Sequence, residues 1–406
     1  MNRRDFLVGC SSAIAALAGS RLTGMAYGAG AVNECLVVVF LRGGWDALSV
    51  LSPLEGAERA RYLTARPSLA IPTAGTLNLG NGWGLHKALE PLWDIYQQGQ
   101  MAVMAGTGMP FDSRSHFDAM SSMELGLPGK TIGNSGWLTR AIASAPNPSV
   151  RVQLANSIAA GNDMPGSLRG DVSALSIPKL EDFRLSDDAD YRQQLGRSLE
   201  KLYAGDSALH KAGKNTLSAL QLASSITPPK PSEGYPDSGL ATNFSTIATI
   251  LRAGLGLRSA SVDFGGWDTH EYQGEKGTGY FADHLGELAA GLRAFYNDLE
   301  RNGLHNNVTT IVLSEFGRRV QENASGGTDH GHGSTMLVLG GNVQGKKVYG
   351  QTPSLHPDAL YDRADLAVGL DYRQIIAEIL ETRFAHQRLG EVFPNFKGAK
   401  LNLMRA

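Results

Sequence analysis

The densest chemistry in the chain lies in residues 308–334, VTTIVLSEFGRRVQENASGGTDHGHGS. Its last seven residues run Thr328-Asp329-His330-Gly331-His332-Gly333-Ser334. Imidazole nitrogens beside a carboxylate suit a hard or borderline divalent cation. The intervening glycines let the backbone turn each side chain inward and leave room for a ligand. A polar surface turn has the same composition, so the reading depends on partners elsewhere. One lies just upstream, where Ser314-Glu315-Phe316-Gly317 closes the apolar run 308–313 and presents a carboxylate at the point of turning.

Other partners follow other apolar runs. The tetrapeptide Gly-Gly-Trp-Asp occurs at 43–46 and again at 265–268. The flanks do not match, so it is one strand-end turn used twice rather than a domain repeat. Asp46 is a candidate ligand after the first run, although a cap or turn carboxylate looks the same. Asp268 and His270, two residues apart in an irregular loop, can face one ion together. A third run, 101–105, opens into a loop ending Ser113-Arg114-Ser115. Ser115 followed by Asp118 is a helix N-cap pattern. A helix start also stabilises an alkoxide or an incoming anion, so Ser115 is the first candidate nucleophile and Ser113 the second. Arg114 beside them suits an ester oxyanion.

The elements that position these residues are legible as periodicities. Apolar runs at 35–41, 101–105 and 308–313 read as buried strands, 259–264 and 334–340 read as further strands, and weaker ones lie at 150–154 and 173–177. Helical patterns cover 85–98, 116–125, 187–226, 244–257, 285–301 and 372–384, and prolines mark a loop at 227–236. Strands alternating with helices predict a three-layer α/β/α sandwich with a mainly parallel sheet. Ligands gather at the carboxyl ends of such strands. Asp46, Ser113 and Ser115, Asp268 and His270, and Glu315 each follow one. The stretch over about 180–240 reads as a helical cap or insertion.

Composition excludes several classes of function. The chain has 406 residues, 42% hydrophobic and 19% charged, with a net charge of −2. No basic field favours nucleic acid. No apolar run after the N-terminus is long enough to span a bilayer. Residues 1–30 read as a targeting segment: Arg3-Arg4 precede a mild apolar stretch and a small-residue region ending at Gly30. That is the pattern of a twin-arginine export signal, which implies the twin-arginine translocase as partner and a periplasmic or secreted location. Residues 31–406 then form the mature domain. They retain one cysteine, Cys35, so no internal disulfide is expected.

The twin-arginine start, Arg42-Gly-Gly-Trp-Asp46, Arg114-Ser-His-Phe-Asp-Ala119, Gly266-Trp-Asp-Thr-His270, Ser314-Glu-Phe-Gly-Arg318 and Asp329-His-Gly-His-Gly333 together resemble an uncharacterised bacterial family, domain of unknown function 1501. The resemblance places the chain with the alkaline phosphatase-like and sulfatase-like proteins. It implies an α/β/α fold and a two-metal hydrolytic ancestry. Carried over residue by residue, Asp46 resembles the first-strand metal aspartate and Ser115 falls where the nucleophile loop is expected. Asp268 and His270 resemble ligands of one metal, which His332 completes. At Glu315-Phe316 relatives carry Asp-His. Glutamate can bind a metal and phenylalanine cannot, so His330 or Asp329 would substitute.

Two functions compete. One is an exported hydrolase of phosphate or sulfate esters, on a small-molecule or polymer substrate, dependent on a divalent ion such as zinc, calcium or manganese. The other is a non-catalytic exported binding or assembly protein that keeps the fold and a partial metal site.

Overall fold

The computed structural model describes residues 34–146, 155–180, 183–225 and 234–405. The expected export segment, the strand over 150–154 and most of the loop over 227–236 lie outside them.

Nine strands form the central sheet: β1 (Cys35–Leu41), β2 (Met101–Gly108), β3 (Ser157–Ala159), β4 (Leu175–Ser176), β5 (Ser259–Phe264), β6 (Val308–Leu313), β7 (Ser334–Leu339), β8 (Val348–Tyr349) and β9 (Leu370–Asp371). Their order is β8-β2-β7-β6-β1-β5-β3-β4, with β9 also pairing with β2. β1 lies parallel between β5 and β6, with Leu41 opposite Phe264 and Phe40 opposite Leu313. β7 runs antiparallel to both of its neighbours. The sheet is therefore mixed, mainly parallel.

β1 shows why the apolar runs become buried strands. Successive side chains point to opposite faces. Cys35, Val37, Val39 and Leu41 enter one core, and Leu36, Val38 and Phe40 the other. Eight helices of eight residues or more are described: α1 (Gly56–Ala65), α2 (His116–Leu125), α3 (Trp137–Ser144), α4 (Ala189–Leu202), α5 (Ala208–Ser225), α6 (Gly239–Arg252), α7 (Tyr280–Arg301) and α8 (Tyr372–Arg383). α6 and α7 contribute Phe244, Ile247, Leu285 and Leu288 to the first core. α2, α3 and α8 contribute Met123, Leu138 and Ile376 to the second. Helices thus cover both faces, giving the three layers expected. Among the described residues no helix is long and apolar enough to cross a membrane.

Several boundaries differ from the sequence reading. The helix expected over 85–98 is a strand, a 3-10 stretch and a short helix: Trp83–His86, Lys87–Leu92 and Trp93–Gln97. Pro91 removes a backbone donor, and Trp83–His86 pairs between Leu51–Pro53 and Thr76–Asn78 in a small second sheet. The pattern over 187–226 divides into α4 and α5. α6 starts earlier than expected because Ser238 accepts from the Ala241 amide as its cap.

The reversal of β7 matters for the site. The loop 328–333 enters β7 on the same rim of the sheet that the ends of β1, β5 and β6 reach. Three loops therefore meet there, after β1, after β5 and between β6 and β7, with the start of α2 after β2 as the fourth contributor.

Candidate metal centre

The two Gly-Gly-Trp-Asp turns stand side by side on this rim. Trp45 and Trp267, both fully buried, meet edge to face with centroids 5.8 Å apart. The pairing of Leu41 with Phe264 leaves the two tetrapeptides out of step by one residue. Their aspartates then go to different places. Asp46 is fully buried, and Asp268 keeps 47% of its side chain exposed.

Asp46 is not at the metal cluster, which corrects its assignment as a ligand. Both of its oxygens are taken by Arg66, with Nη2 at 2.9 Å from Oδ1. Ser49 Oγ (2.6 Å) and Gln273 Nε2 (2.7 Å) also donate to it, as does the Leu48 amide of the helical turn it caps. Burial raises its pKa, but the Arg66 charge and these hydrogen bonds outweigh burial and hold the carboxyl below its ordinary range.

The groups that do converge are His116, Asp268, His270 and His330. His330 Nε2 lies 2.9 Å from His116 Nε2 and 2.8 Å from His270 Nε2. Asp268 Oδ1 is 3.1 Å from both His330 Nε2 and His270 Nε2, and its Oδ2 is 3.3 Å from His116 Nε2. His116, Asp268 and His330 each offer a ligand atom, all within 4.8 Å of one another.

The opposite side of each ring explains the arrangement. His116 Nδ1 faces Glu315 Oε1 at 2.7 Å, His330 Nδ1 faces the Arg114 carbonyl at 2.7 Å, and His270 Nδ1 faces Asp329 Oδ1 at 3.3 Å. A carbonyl or carboxylate only accepts, so the tautomer with its hydrogen on Nδ1 satisfies each of these contacts and would turn the Nε2 lone pair inward. Three lone pairs and a carboxylate facing one another repel unless a proton or a cation lies between them. Burial lowers the pKa of His116, but Glu315 and Asp268 more than reverse this and raise it overall. At His330 burial prevails and the pKa falls. Ligands about 2.0–2.1 Å from a tetrahedral zinc stand about 3.3 Å apart, close to the contacts within the His116–Asp268–His330 group, which His270 adjoins through His330 and Asp268. The donor set therefore fits a divalent ion.

Below the rings lies Phe316, the residue at which the chain departs from Asp-His. It is buried and packs against His116 (4.8 Å between centroids) and His330 (5.1 Å). Gly44 makes room for it: its φ is +67°, and a Cβ there would overlap the Phe316 ring. Glu315 is the partner of His116 and not a member of the cluster, a second correction. Its Oε1 also accepts from the Gly43 amide (2.9 Å) and its Oε2 from Ser314 Oγ (2.8 Å). Arg318, buried, donates to the carbonyls of Gly44 and Thr328 and, at 2.5 Å, to Asp268 Oδ1. Burial pushes Asp268 up, but Arg318 outweighs this and brings its pKa to about 2.

His332 is the third correction. Its ring lies on Tyr361, 4.4 Å between centroids, in the field of Asp365, Asp112 and Arg114. Its backbone is pinned there: the His332 carbonyl accepts from Gly317 (3.0 Å), and the next amide, Gly333, donates to Leu366 (2.7 Å). Ser115 Oγ accepts from the Asp118 amide at 3.4 Å, so it caps α2 directly before His116. Arg114 Nη2 pairs with Asp365 (2.8 Å) and Asp362 (3.2 Å). Sequence reasoning missed His116 and Arg318 altogether, although both lie in motifs it singled out.

This chain belongs to the family described as a protein of unknown function, DUF1501, whose model matches residues 107–392. That span includes every residue of the cluster and excludes Asp46. No curated protein matches the chain. Solved structures similar to it include the sulfatase PsFucS1 from Pseudoalteromonas sp., at 10% identity, covering 92% of this chain and 73% of that one, with a TM-score of 0.35. A protein in the alkaline phosphatase superfamily from Vibrio parahaemolyticus is 9% identical over 78% of this chain and 62% of its own, TM-score 0.31. The phosphonate monoester hydrolase SpPMH from Silicibacter pomeroyi is 10% identical over 78% and 70%, TM-score 0.32. These likenesses are too distant to assign a role to any side chain, so the functional argument rests on the site itself.

Proposed function

We propose that this chain is an exported, divalent-metal-dependent hydrolase of phosphate or sulfate esters. The observation that carries the reading is the convergence of three imidazole Nε2 atoms and Asp268, each ring held by an acceptor on its far side. Outer partners of that kind are what metal-ligating histidines carry. Three nitrogens and one carboxylate favour zinc, with manganese next, over calcium, which prefers oxygen ligands.

A divalent ion bound there would supply Lewis acidity to an ester oxygen. The chain's own groups do the rest. Glu315 and the Arg114 carbonyl would hold His116 and His330 in the tautomer that leaves Nε2 free for the ion. Arg318 keeps Asp268 ionised. Asp268 and His270, with 47% and 44% of their side chains exposed, leave the cluster open to a substrate. Ser115, at the start of α2 and next to His116, is the proposed nucleophile, favoured there by the helix dipole. One observation favours the competing reading of a non-catalytic metal-binding protein: Arg114, the expected oxyanion clamp, is already engaged by two aspartates.

Metal analysis of the purified mature chain, followed by aryl phosphates and aryl sulfates with the metal-loaded protein, separates the two. Turnover that falls in Ser115→Ala, with metal content unchanged, supports the hydrolase. A loaded protein that cleaves neither class supports the binding protein. The proposed twin-arginine route has its own test. Arg3→Lys with Arg4→Lys should hold the precursor in the cytoplasm, and undiminished periplasmic protein would count against it.

A further inference from the structure

We infer that Gln273 is a positioning residue for the metal centre: its buried amide clamps together the two loops that carry His270 and His330. The inference rests on the reading of that cluster as a metal centre.

Gln273 is 2% exposed and touches none of the cluster's ring nitrogens. Its side-chain oxygen accepts from two hydroxyls, Thr269 Oγ1 at 3.0 Å and Thr328 Oγ1 at 2.9 Å. Thr269 directly precedes His270, and Thr328 precedes Asp329 and His330. One side-chain oxygen thus joins the loop after β5 to the loop before β7. The amide nitrogen donates to Asp46 Oδ2 (2.7 Å) and Ser49 Oγ (3.1 Å), so the clamp is anchored in the buried Asp46–Arg66 pair.

All four hydrogen-bonding positions of the amide are used. The Asp46 contact also fixes its orientation, because a flipped amide would point its oxygen at the Asp46 carboxylate. The backbone supports the same junction. The Thr328 amide donates to the Thr269 carbonyl (3.0 Å), and the Gln273 amide to the Gly326 carbonyl (3.0 Å). A Cβ at Gly327 would collide with the Thr269 and His270 backbone, so the loops already touch. The clamp accounts for a buried Asp46 at the end of β1: it anchors the loops that carry the ligands. Groups behind a metal's ligands typically alter affinity by about 10–100-fold when removed.

The test uses the purified full chain titrated with Co2+, read by visible absorption and by competition with a chelator. Gln273→Met keeps the bulk and loses the hydrogen bonds. It should bind Co2+ at least about tenfold more weakly, with altered visible bands. Thr328→Val should show a smaller loss in the same direction, and Thr328→Ser, which restores the hydroxyl, should recover affinity. If Gln273→Met melts at a lower temperature without metal yet keeps the wild-type affinity and spectrum, Gln273 is only packing and the inference fails. If Gln273→Met does not fold, Thr269→Val and Thr328→Val decide, and wild-type affinity and spectrum in both overturn it. A wild-type chain that binds no Co2+ sinks the metal centre, and the clamp with it.

Discussion

Glu315 holds its carboxylate against one nitrogen of His116 and so turns the other toward Asp268 and His330. Neutralising that carboxylate leaves only an amide oxygen, a weaker acceptor, against the ring and lowers its basicity. Glu315→Gln should therefore weaken metal binding about 10–100-fold while the fold persists, as measured by isothermal titration with Zn2+. Asp46 carries the opposite kind of burden, structural and not chemical. Asp46→Asn leaves the Arg66 charge buried without its partner and should cost about 3–5 kcal/mol in urea unfolding. The sign of the pH effect follows from its lowered pKa. The folded carboxyl gives up its proton more readily than the unfolded one. Its contribution is complete above the unfolded value of about 3.9 and is lost as pH falls through the folded one. The Asp46→Asn protein should therefore show a shallower loss of stability below about pH 4 than the wild type. These two carboxylates also show what single residues conceal. Asp46 and Asp268 sit in identical tetrapeptides one residue out of step, and their partners differ: Arg66 holds one inward and Arg318 pairs with the other at the rim. His116 reads as an ordinary first helical residue, because its partners Glu315 and His330 are 199 and 214 positions away.

Turns and strand ends decide the geometry at the next scale. Gly44 is one such constraint: a positive φ and the Phe316 ring both exclude a side chain there. Gly44→Ala should destabilise the chain by about 1–3 kcal/mol, checked by chemical unfolding, and should loosen the floor beneath His116 and His330. Strands β1, β5 and β6 were legible in the sequence, with the same boundaries: β1 and β6 are buried along their whole length and rich in apolar and β-branched residues, whereas β5 carries Ser259, Ser261 and Asp263. The region 85–98 was not. Its helical spacing is real, but Pro91 and the pairing of Trp83–His86 across a second small sheet override it. The antiparallel course of β7 was invisible as well, since an apolar run carries no mark of its direction. That course is what brings the loop 328–333 to the rim where β1, β5 and β6 end.

Across the whole molecule, the mixed, mainly parallel sheet and its two helical layers collect loops from distant parts of the described chain onto one rim. The sequence located that rim from the strand ends, and Asp268, His270 and His330 were among its candidate ligands. It misplaced Asp46, Glu315 and His332, because which way a loop side chain faces depends on contacts such as Tyr361 beneath His332 and Arg66 beneath Asp46. The central claim is a single metal centre built on His116, Asp268 and His330, with His270 beside them. It is tested most directly by the metal content of the wild-type, His116→Ala and His332→Ala proteins after loading with Zn2+ and dialysis against a mild chelator. The account predicts one ion per chain in the wild type and in His332→Ala, and almost none in His116→Ala. A His116→Ala protein that keeps its ion while His332→Ala loses it would contradict this ligand set.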